Sequence, residues 1–257
     1  MGSPDSTRRF SDRVADYVRC RPGYPDALRD ALRRDVGVAP DSVVADVGSG
    51  TGISTAMLLG LGATVFAIEP NAGMRQAAED RLGNHPCFRS VAARAEETTL
   101  ADCSVDLVAA GQSFHWFPGP ETRAEFMRIL RPGGTVALFW NTRRSQGAPF
   151  LAAYERLLQQ FGTDYAQVHH RKIDAPTLRA FFGGEFASRV FVNAQTLDFD
   201  GLLGRLSSSS YAPGPSHASY ARMVAVLQEI FDAHHDNGLV RMDYDTELFF
   251  GRLEPSS

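Results

Sequence analysis

The 257-residue chain lacks most features that mark secreted, membrane-spanning or nucleic-acid-binding proteins. Its three cysteines, Cys20, Cys87 and Cys103, are odd in number and widely spaced, which argues against a disulfide framework and a zinc site. No apolar run approaches the roughly 20 residues needed to span a bilayer, and the first residues lack the apolar stretch of a signal peptide. The net charge of -4 provides no footprint for nucleic acid or an anionic membrane. We therefore expect a cytoplasmic globular protein that binds neither.

Short apolar runs rich in β-branched residues alternate with segments of helical periodicity up to about residue 142. This alternation is typical of parallel strands joined by crossover helices. Asn71 has the side chain of a helix N-cap, and the sequence RPGG at 131–134 predicts a helix stop followed by a turn. Strands are predicted at 42–48, 64–69, 87–93, 105–110 and 135–141, and helices at 53–61, 71–83 and 121–130.

The second half of the chain has a different pattern, in which helices dominate. The stretch SSSSYAPGPS at 207–216 has the composition of a hinge. We predict an α/β fold: a Rossmann-like, mostly parallel seven-stranded sheet with helices on both faces, an antiparallel last strand and a helical cap. Strands are predicted at 186–197 and 244–253, and helices near 149–162, 175–182 and 217–235. The predicted single domain consists of an N-terminal helical segment (1–35), a core sheet (36–199 and 244–253) and a cap insert (200–243).

The strongest functional signal is the glycine-rich sequence VADVGSGTG at 44–52, between the first predicted strand and a helix. Glycines at 48, 50 and 52 allow the backbone to turn tightly and to approach a ligand with no Cβ between them. In an open α/β sheet, ligands bind at the carboxyl ends of the strands. Glu69 ends the second predicted strand, where a carboxylate can accept both hydroxyls of a ribose. Together these residues predict a nucleotide-type ligand.

The spacing of the glycines indicates which nucleotide is bound. The dinucleotide fingerprint GxGxxG directs a helix N-terminus at a pyrophosphate, whereas Gly48, Gly50 and Gly52 form GxGxG. Asp46 precedes the loop, and its charge would repel a pyrophosphate but suits an ammonium group. The loop is therefore predicted to bind a nucleoside that carries an amino acid. An NAD(P)-dependent oxidoreductase is the alternative on a similar sheet.

At these residues the sequence resembles the class I S-adenosylmethionine (SAM)-dependent methyltransferases, from about residue 10 to about residue 142. Asp46 and the three glycines look like the family's first motif, and EPNAGM at 69–74 places Met74 where the family packs an apolar side chain against adenine. Ala95 and Glu96 are similar to the pair at the adenine edge. SAM is thus the implied cofactor.

Two further segments resemble the branch that contains trans-aconitate methyltransferases and related small-molecule enzymes. They are YVRCRPGYP at 17–25 and QSFHWF at 112–117, which in that branch lie near the methionine end of SAM. The resemblance implies a small-molecule substrate. The residues predicted to contact the cofactor are Tyr17, Arg21, Asp46, Gly48, Ser49, Gly50, Thr51, Gly52, Glu69, Pro70, Met74, Ala95, Glu96, Gln112, Ser113 and Trp116.

His115 is the predicted catalytic residue, because methyl transfer to a protonated acceptor needs a general base. The alternative is a histidine that packs against Trp116 and shapes the pocket. Trp140 is either a wall of the methyl site or part of the core. Alignment of the acceptor with the methyl group can supply most of the catalysis. A SAM-binding cyclase or a non-catalytic regulator would carry the same loop and remains an alternative.

Charged and metal-binding candidates outside these motifs are weaker. Arg143 and Arg144 either clamp an anionic substrate or are solvated loop residues. The histidine pairs at 169–170 and 234–235 lack partners at ligand spacing, so no metal site is predicted.

Overall fold

The structure is a computed structural model, and it describes residues 19–163, 165 and 173–254. Seven strands form one sheet within these residues. They are β1 (Val43–Val47), β2 (Thr64–Ile68), β3 (Phe88–Val91), β4 (Val105–Gly111), β5 (Leu130–Arg143), β6 (Ala187–Leu197) and β7 (Val240–Gly251). Their order is β3-β2-β1-β4-β5-β7-β6. All neighbours from β3 to β5 are parallel, and β7 is antiparallel to both β5 and β6. The predicted fold class is confirmed.

Several helices begin at a side chain that accepts a hydrogen bond from the first turn. Asn71 accepts from the backbone N–H of Met74 at 2.9 Å, which confirms the predicted N-cap. Asp174 and Asp198 act in the same way. The helices are α1 (Asp26–Arg34), α2 (Ile53–Leu59), α3 (Ala72–Leu82), α4 (Pro120–Ile129), α5 (Pro149–Phe161), α6 (Ala175–Phe182), α7 (Phe199–Ser207) and α8 (Tyr220–His234), with a short 3₁₀ helix at Phe114–Trp116.

The sheet is buried on both faces, as the apolar strand sequences require. Along β1, Val44 packs with α1 and α2 on one face. Ala45 and Val47 pack with α4 and α6 on the other face. All three β1 side chains are fully buried. Because the side chains of this five-residue strand point to both faces of the sheet, helices pack on each face, and the sheet is the middle of three layers.

A third apolar cluster lies beside the carboxyl ends of the parallel strands. Helices α5, α7 and α8 contribute Leu157, Leu202 and Leu227, and β7 contributes Tyr244. Because Tyr244 pairs with Arg143 at the end of β5, this cluster sits at the carboxyl edge of the sheet. No helix in the described part of the chain combines the length and apolar character needed to cross a bilayer.

The boundaries of two strands differ from the prediction. β7 begins at Val240, so residues 240–243 of the predicted cap insert belong to the sheet. β5 begins at Leu130, which already pairs with Val105. The ladder then shifts register across the predicted turn at 131–134, where Gly133 has φ +83°. The glycines form an irregularity within a strand instead of a connection between elements.

The serine run at 207–210 does not have the character of a hinge. Ser208 and Ser209 are fully buried. Their hydroxyls donate to the carbonyl oxygen of Arg205 at 2.8 and 3.3 Å, where they terminate α7. Short hydroxyl side chains satisfy carbonyls that the helix end leaves unpaired. Composition alone does not distinguish this role from flexibility.

Candidate active site

A cavity of about 590 Å³ opens at the carboxyl edge of the parallel strands. The strand ends meet there because Asp46 of β1 is level with Ala67 of β2 and Ala109 of β4. This position is the ligand site of open α/β sheets, and the volume lies within the roughly 300–1,000 Å³ of small-ligand sites.

The three glycines of the loop after β1 have separate roles. All have left-handed backbone angles, with φ of +67° at Gly48, +57° at Gly50 and +80° at Gly52. A Cβ on Gly48 would lie 2.6 Å from the Cβ of Ser113, and one on Gly52 would lie 2.8 Å from Leu82. A Cβ on Gly50 would meet no atom within 4 Å, and this residue lines the cavity. Gly48 and Gly52 therefore permit packing, whereas Gly50 leaves space for a ligand.

Glu69 holds this loop in place and faces the same cavity. Its carboxylate accepts from the backbone N–H of Gly50 at 2.9 Å and of Asn71 at 2.8 Å. Burial raises the pKa of the Glu69 carboxyl, and the two backbone hydrogen bonds oppose that change. Each carboxylate oxygen keeps a second lone pair that can accept from a ligand hydroxyl.

Asp46 lies beneath the loop and does not line the cavity. One oxygen accepts from Ser54 Oγ at 2.8 Å and Thr55 Oγ1 at 2.6 Å, which connects β1 to α2. Its other oxygen, Oδ1, is buried and has no hydrogen-bond partner among the described residues. Burial raises the pKa of this carboxyl from 3.8 to about 6.

The lining of this half of the cavity fits a nucleoside with a polar tail. Ser49 Oγ and Thr51 Oγ1 are buried, and within the described ranges neither has a hydrogen-bond partner. Buried hydroxyls are normally bonded, so these two indicate a polar ligand group. The apolar side chains of Met74 and Ala95 provide a wall for a flat ring system. The residues present therefore fit SAM.

The segment after β4 forms the wall opposite the glycine loop. Gln112 has φ +60°, which is uncommon for a residue with a side chain and is typical of functional sites. Ser113 donates to the carbonyl oxygen of Val47 at 2.7 Å. His115 and Trp116 both line the cavity, with ring centroids 4.8 Å apart. His115 is thus placed for either of its predicted roles.

The N-terminal arm, residues 19–25, closes one side of the cavity. Arg21 donates to the carbonyl oxygen of Ser208 at 2.8 Å, which connects the arm to the end of α7. Gln195 of β6 donates to the carbonyl oxygen of Cys20 at 2.9 Å. Asn141 and Asn193 both donate to Gly23, at 3.0 and 2.9 Å. Tyr17 lies outside the described residues.

The part of the cavity beyond Trp116 is lined by arginine and tyrosine. Arg143 is largely buried, forms an ion pair with Glu155 and donates to Tyr165 at 3.2 Å. Arg144 lies outside the cavity, 41% exposed and paired with Asp245. The two neighbouring arginines therefore separate: Arg143 ends β5 and lines the cavity, whereas Arg144 follows the strand and pairs with Asp245 outside it.

Sequence reasoning missed Arg205 and Tyr165, which line the cavity without belonging to any motif. Tyr211 of the cap insert, which the sequence predicts either to line a lid or to pack it down, also lines the cavity. Trp140 lines the cavity and also packs edge-on against Phe249, so it is placed for either of its predicted roles. The structure gathers most predicted site residues around one cavity; those that line it are Arg21, Gly48, Ser49, Gly50, Thr51, Glu69, Pro70, Met74, Ala95, Glu96, Gln112, Ser113, His115 and Trp116.

His234 and His235 form no metal centre with the other described residues. His169 and His170 lie outside the described residues. His235 stacks on Phe231 with ring centroids 5.3 Å apart, and His234 packs near Phe150 at 6.5 Å. These contacts give both rings a packing role.

Comparison with known proteins gives the fold and the site a family context. Residues 45–138 match the family described as "Methyltransferase domain". An uncharacterized methyltransferase of Schizosaccharomyces pombe is 32% identical over a segment that covers 60% of this chain and 60% of the relative. One of Mycobacterium bovis is 37% identical over 54% of each chain. The chain thus covers between half and two thirds of the length of these relatives.

Solved structures share the fold at low sequence identity. A protein from Anaeromyxobacter dehalogenans superposes with a TM-score of 0.67 at 24% identity, covering 91% of this chain and 99% of that protein. Geranyl diphosphate C-methyltransferase from Streptomyces coelicolor, solved with S-adenosylhomocysteine (SAH), gives a TM-score of 0.50 at 15% identity, covering 89% and 76%. Residues 45–138 are thus similar to a methyltransferase domain, and the solved structures share the fold.

Proposed function

We propose that the chain transfers a methyl group from SAM to a small-molecule acceptor. The observation that carries this proposal is one continuous cavity with two chemically different halves. One half is the nucleoside-type site of Gly50 and Glu69. The other is walled by Trp140, Arg143 and Tyr165, which belong to none of the cofactor motifs. A cavity that joins a cofactor site to a second site suits a two-substrate reaction.

Each residue of the cofactor half has a role that follows from its contacts. Glu69, fixed by two backbone N–H groups, would accept the ribose hydroxyls. Met74 and Ala95 would cover the faces of the adenine. Ser49 and Thr51 would give their buried hydroxyls to the methionine end. When bound, SAM supplies a sulfonium methyl group, whose carbon–sulfur bond breaks with the electron pair passing to sulfur as the acceptor bonds to the carbon.

The chain's own contribution to catalysis is alignment and exclusion of water. The N-terminal arm and the end of α7 hold each other through Arg21 and Ser208, which would help to exclude water from the acceptor half. His115 faces the cavity beside Trp116 and would accept the proton of a hydroxyl or phenol acceptor. An acceptor that is already ionised would need no base.

We further propose that the enzyme belongs to the small-molecule branch that resembles trans-aconitate methyltransferases, and that it works in the cytoplasm as a single domain with a helical cap. The two segments with that resemblance lie together, since Arg21 and Gln112 line one cavity. The cap insert contributes Arg205 and Tyr211 to the same cavity. These placements support an acceptor site to which the two resembling segments and the cap insert all contribute.

Incubation with SAM, followed by product analysis, tests the proposal against its alternatives. Accumulation of SAH with a methylated acceptor from a metabolite extract is the expected result. Methylthioadenosine would indicate a cyclase or related chemistry, and SAM binding without turnover would indicate a regulator. Calorimetry with SAH and NADH separates the oxidoreductase alternative, because only SAH is expected to bind.

A further inference from the structure

Arg205 is a buried guanidinium that faces the cavity from α7 and is only 7% exposed. Its Nε donates to Tyr244 Oη at 3.2 Å and its Nη1 to Ser209 Oγ at 3.1 Å. A guanidinium carries five N–H donors. The other three have no acceptor among the residues that the structure describes, and no carboxylate there lies within ion-pair distance of Arg205. The unused donors include both N–H groups of Nη2.

A chain of hydrogen bonds fixes the orientation of this guanidinium. Gln195 donates through Nε2 to the carbonyl oxygen of Cys20, so its Oε1 is free to accept. Tyr244 donates to that oxygen at 3.3 Å, which leaves the tyrosine oxygen to accept from Arg205. The N-terminal arm, β6 and β7 therefore hold Nε away from the cavity. The result is a preorganised cation.

Arg205 differs from the two arginines at the end of β5, because it has no carboxylate partner among the described residues. Arg143 and Arg144 each have a carboxylate partner, Glu155 and Asp245. Tyr154, which lies close to Arg205, is no counter-ion at neutral pH, because burial raises the pKa of its hydroxyl. A buried charge without a partner costs free energy unless an anion joins it. Because Arg205 lines the cavity, an anion from solution can reach it there.

We propose that the acceptor carries a carboxylate or phosphate group that Arg205 binds with its free N–H groups. This inference rests on the proposed function, since it assigns the second half of the cavity to the acceptor. Planar guanidinium forks bind such oxyanions through two parallel hydrogen bonds. The hydroxyls of Ser210 and Tyr211 line the same end and can donate to the remaining oxygens. The anionic group would fix the acceptor's orientation toward the methyl group.

Calorimetric titration of the SAH-saturated protein tests the inference. The probes are succinate, inorganic phosphate and the neutral analogue succinamide. The wild type is expected to bind at least one of the two anions and not succinamide; the preferred anion identifies the chemical class. Arg205→Gln is expected to weaken anion binding by about tenfold or more, with Arg205→Lys in between, because Lys keeps the charge but loses the fork. Arg144→Gln, the same change outside the cavity, is the matched control and is expected to bind like the wild type.

SAH affinity in each variant separates this inference from the proposed function. If the wild type does not bind SAH, the proposed function fails. If SAH binds normally but neither anion binds, or if Arg205→Gln binds the anion as tightly as wild type, only the role of Arg205 is refuted. Circular dichroism checks folding. Should Arg205→Gln not fold, Tyr244→Phe, which removes only the orienting hydroxyl, is expected to lower anion affinity severalfold, and an unchanged affinity would count against the inference.

Discussion

Replacement of Asp46 by asparagine is expected to change how the stability of the unliganded protein depends on pH. Asp46 is completely buried beneath the glycine loop, and its Oδ1 has no partner among the described residues. The folded protein therefore holds the proton of this carboxyl up to about pH 6, whereas the same carboxyl surrounded by water has a pKa of 3.8. Asparagine has the same shape and cannot ionise, so it removes this difference.

The sign and size of the effect follow from that pKa change. Between the two pKa values the folded protein binds more protons than the unfolded chain, so the stability contributed by protonated Asp46 is lost as pH rises from about 4 to about 6. A change of about two pKa units corresponds to about 3 kcal/mol. The free energy of unfolding of Asp46→Asn minus that of wild type should therefore increase by about 3 kcal/mol between pH 4 and pH 8. Any pH-independent cost of the amide cancels in this comparison.

Urea denaturation of both proteins at pH 4, 5, 6, 7 and 8, without cofactor, measures this difference directly. Ser54→Ala is a useful control, because it removes one hydrogen bond to Asp46 and leaves the carboxyl in place. If the difference between wild type and Asp46→Asn is the same at every pH, the carboxyl titrates normally in the folded state. The conclusion that burial raises the pKa of the Asp46 carboxyl would then be wrong.

Three further predictions concern the cofactor loop and the cap. Glu69→Gln should weaken SAH binding about tenfold or more, since hydrogen bonds to a charged group are worth about 1.5–3 kcal/mol each; equal affinities in calorimetry would refute a ribose contact. Gly50→Ala should lower SAH affinity and have the smaller effect on Tm, because its Cβ would enter the open space of the cavity. Gly52→Ala should have the larger effect on Tm, because its Cβ would meet Leu82. A larger loss of Tm in Gly50→Ala than in Gly52→Ala would contradict the assigned roles. Hydrogen exchange with SAH and acceptor bound should show new protection at 205–222 as well as in the loop, and protection confined to the loop would exclude closure of the cap.

The sequence predicted the sheet well, and its motifs picked out residues that line one half of the cavity, because both depend on local signals. Strand β1, the glycine spacing and the acid at Glu69 lie within 27 residues, from Val43 to Glu69. The turn geometry needs glycine, and the strand needs buried β-branched residues. The residue types alone therefore predict both the turn and the strand. The same reasoning placed Asn71 at its helix end, where the side chain caps its own backbone.

The acceptor half was not predictable in this way because its residues come from distant parts of the chain. The anion-binding role inferred for Arg205 depends on β7, which brings Tyr244 beside it, and on the lack of a described carboxylate within ion-pair distance. The sequence shows Arg143 and Arg144 as equivalent, and the sheet places one inside and the other outside. Ser208 is likewise buried at the end of α7, where its carbonyl oxygen accepts from the distant Arg21. Long-range contacts of this kind leave no periodic pattern.

The strand order has a consequence for how the protein assembles as it is synthesised. Strand β6 pairs only with β7 in the described sheet, and β7 is the last of its strands along the chain. The arm around Gly23 is held by Asn193 of β6, so a segment made before β1 has to wait for a strand made after β5. The glycine loop and its neighbours need no such partner and can form while synthesis continues. A nascent chain would thus form the proposed cofactor half of the cavity first, and the proposed acceptor half only when β7 enters the sheet.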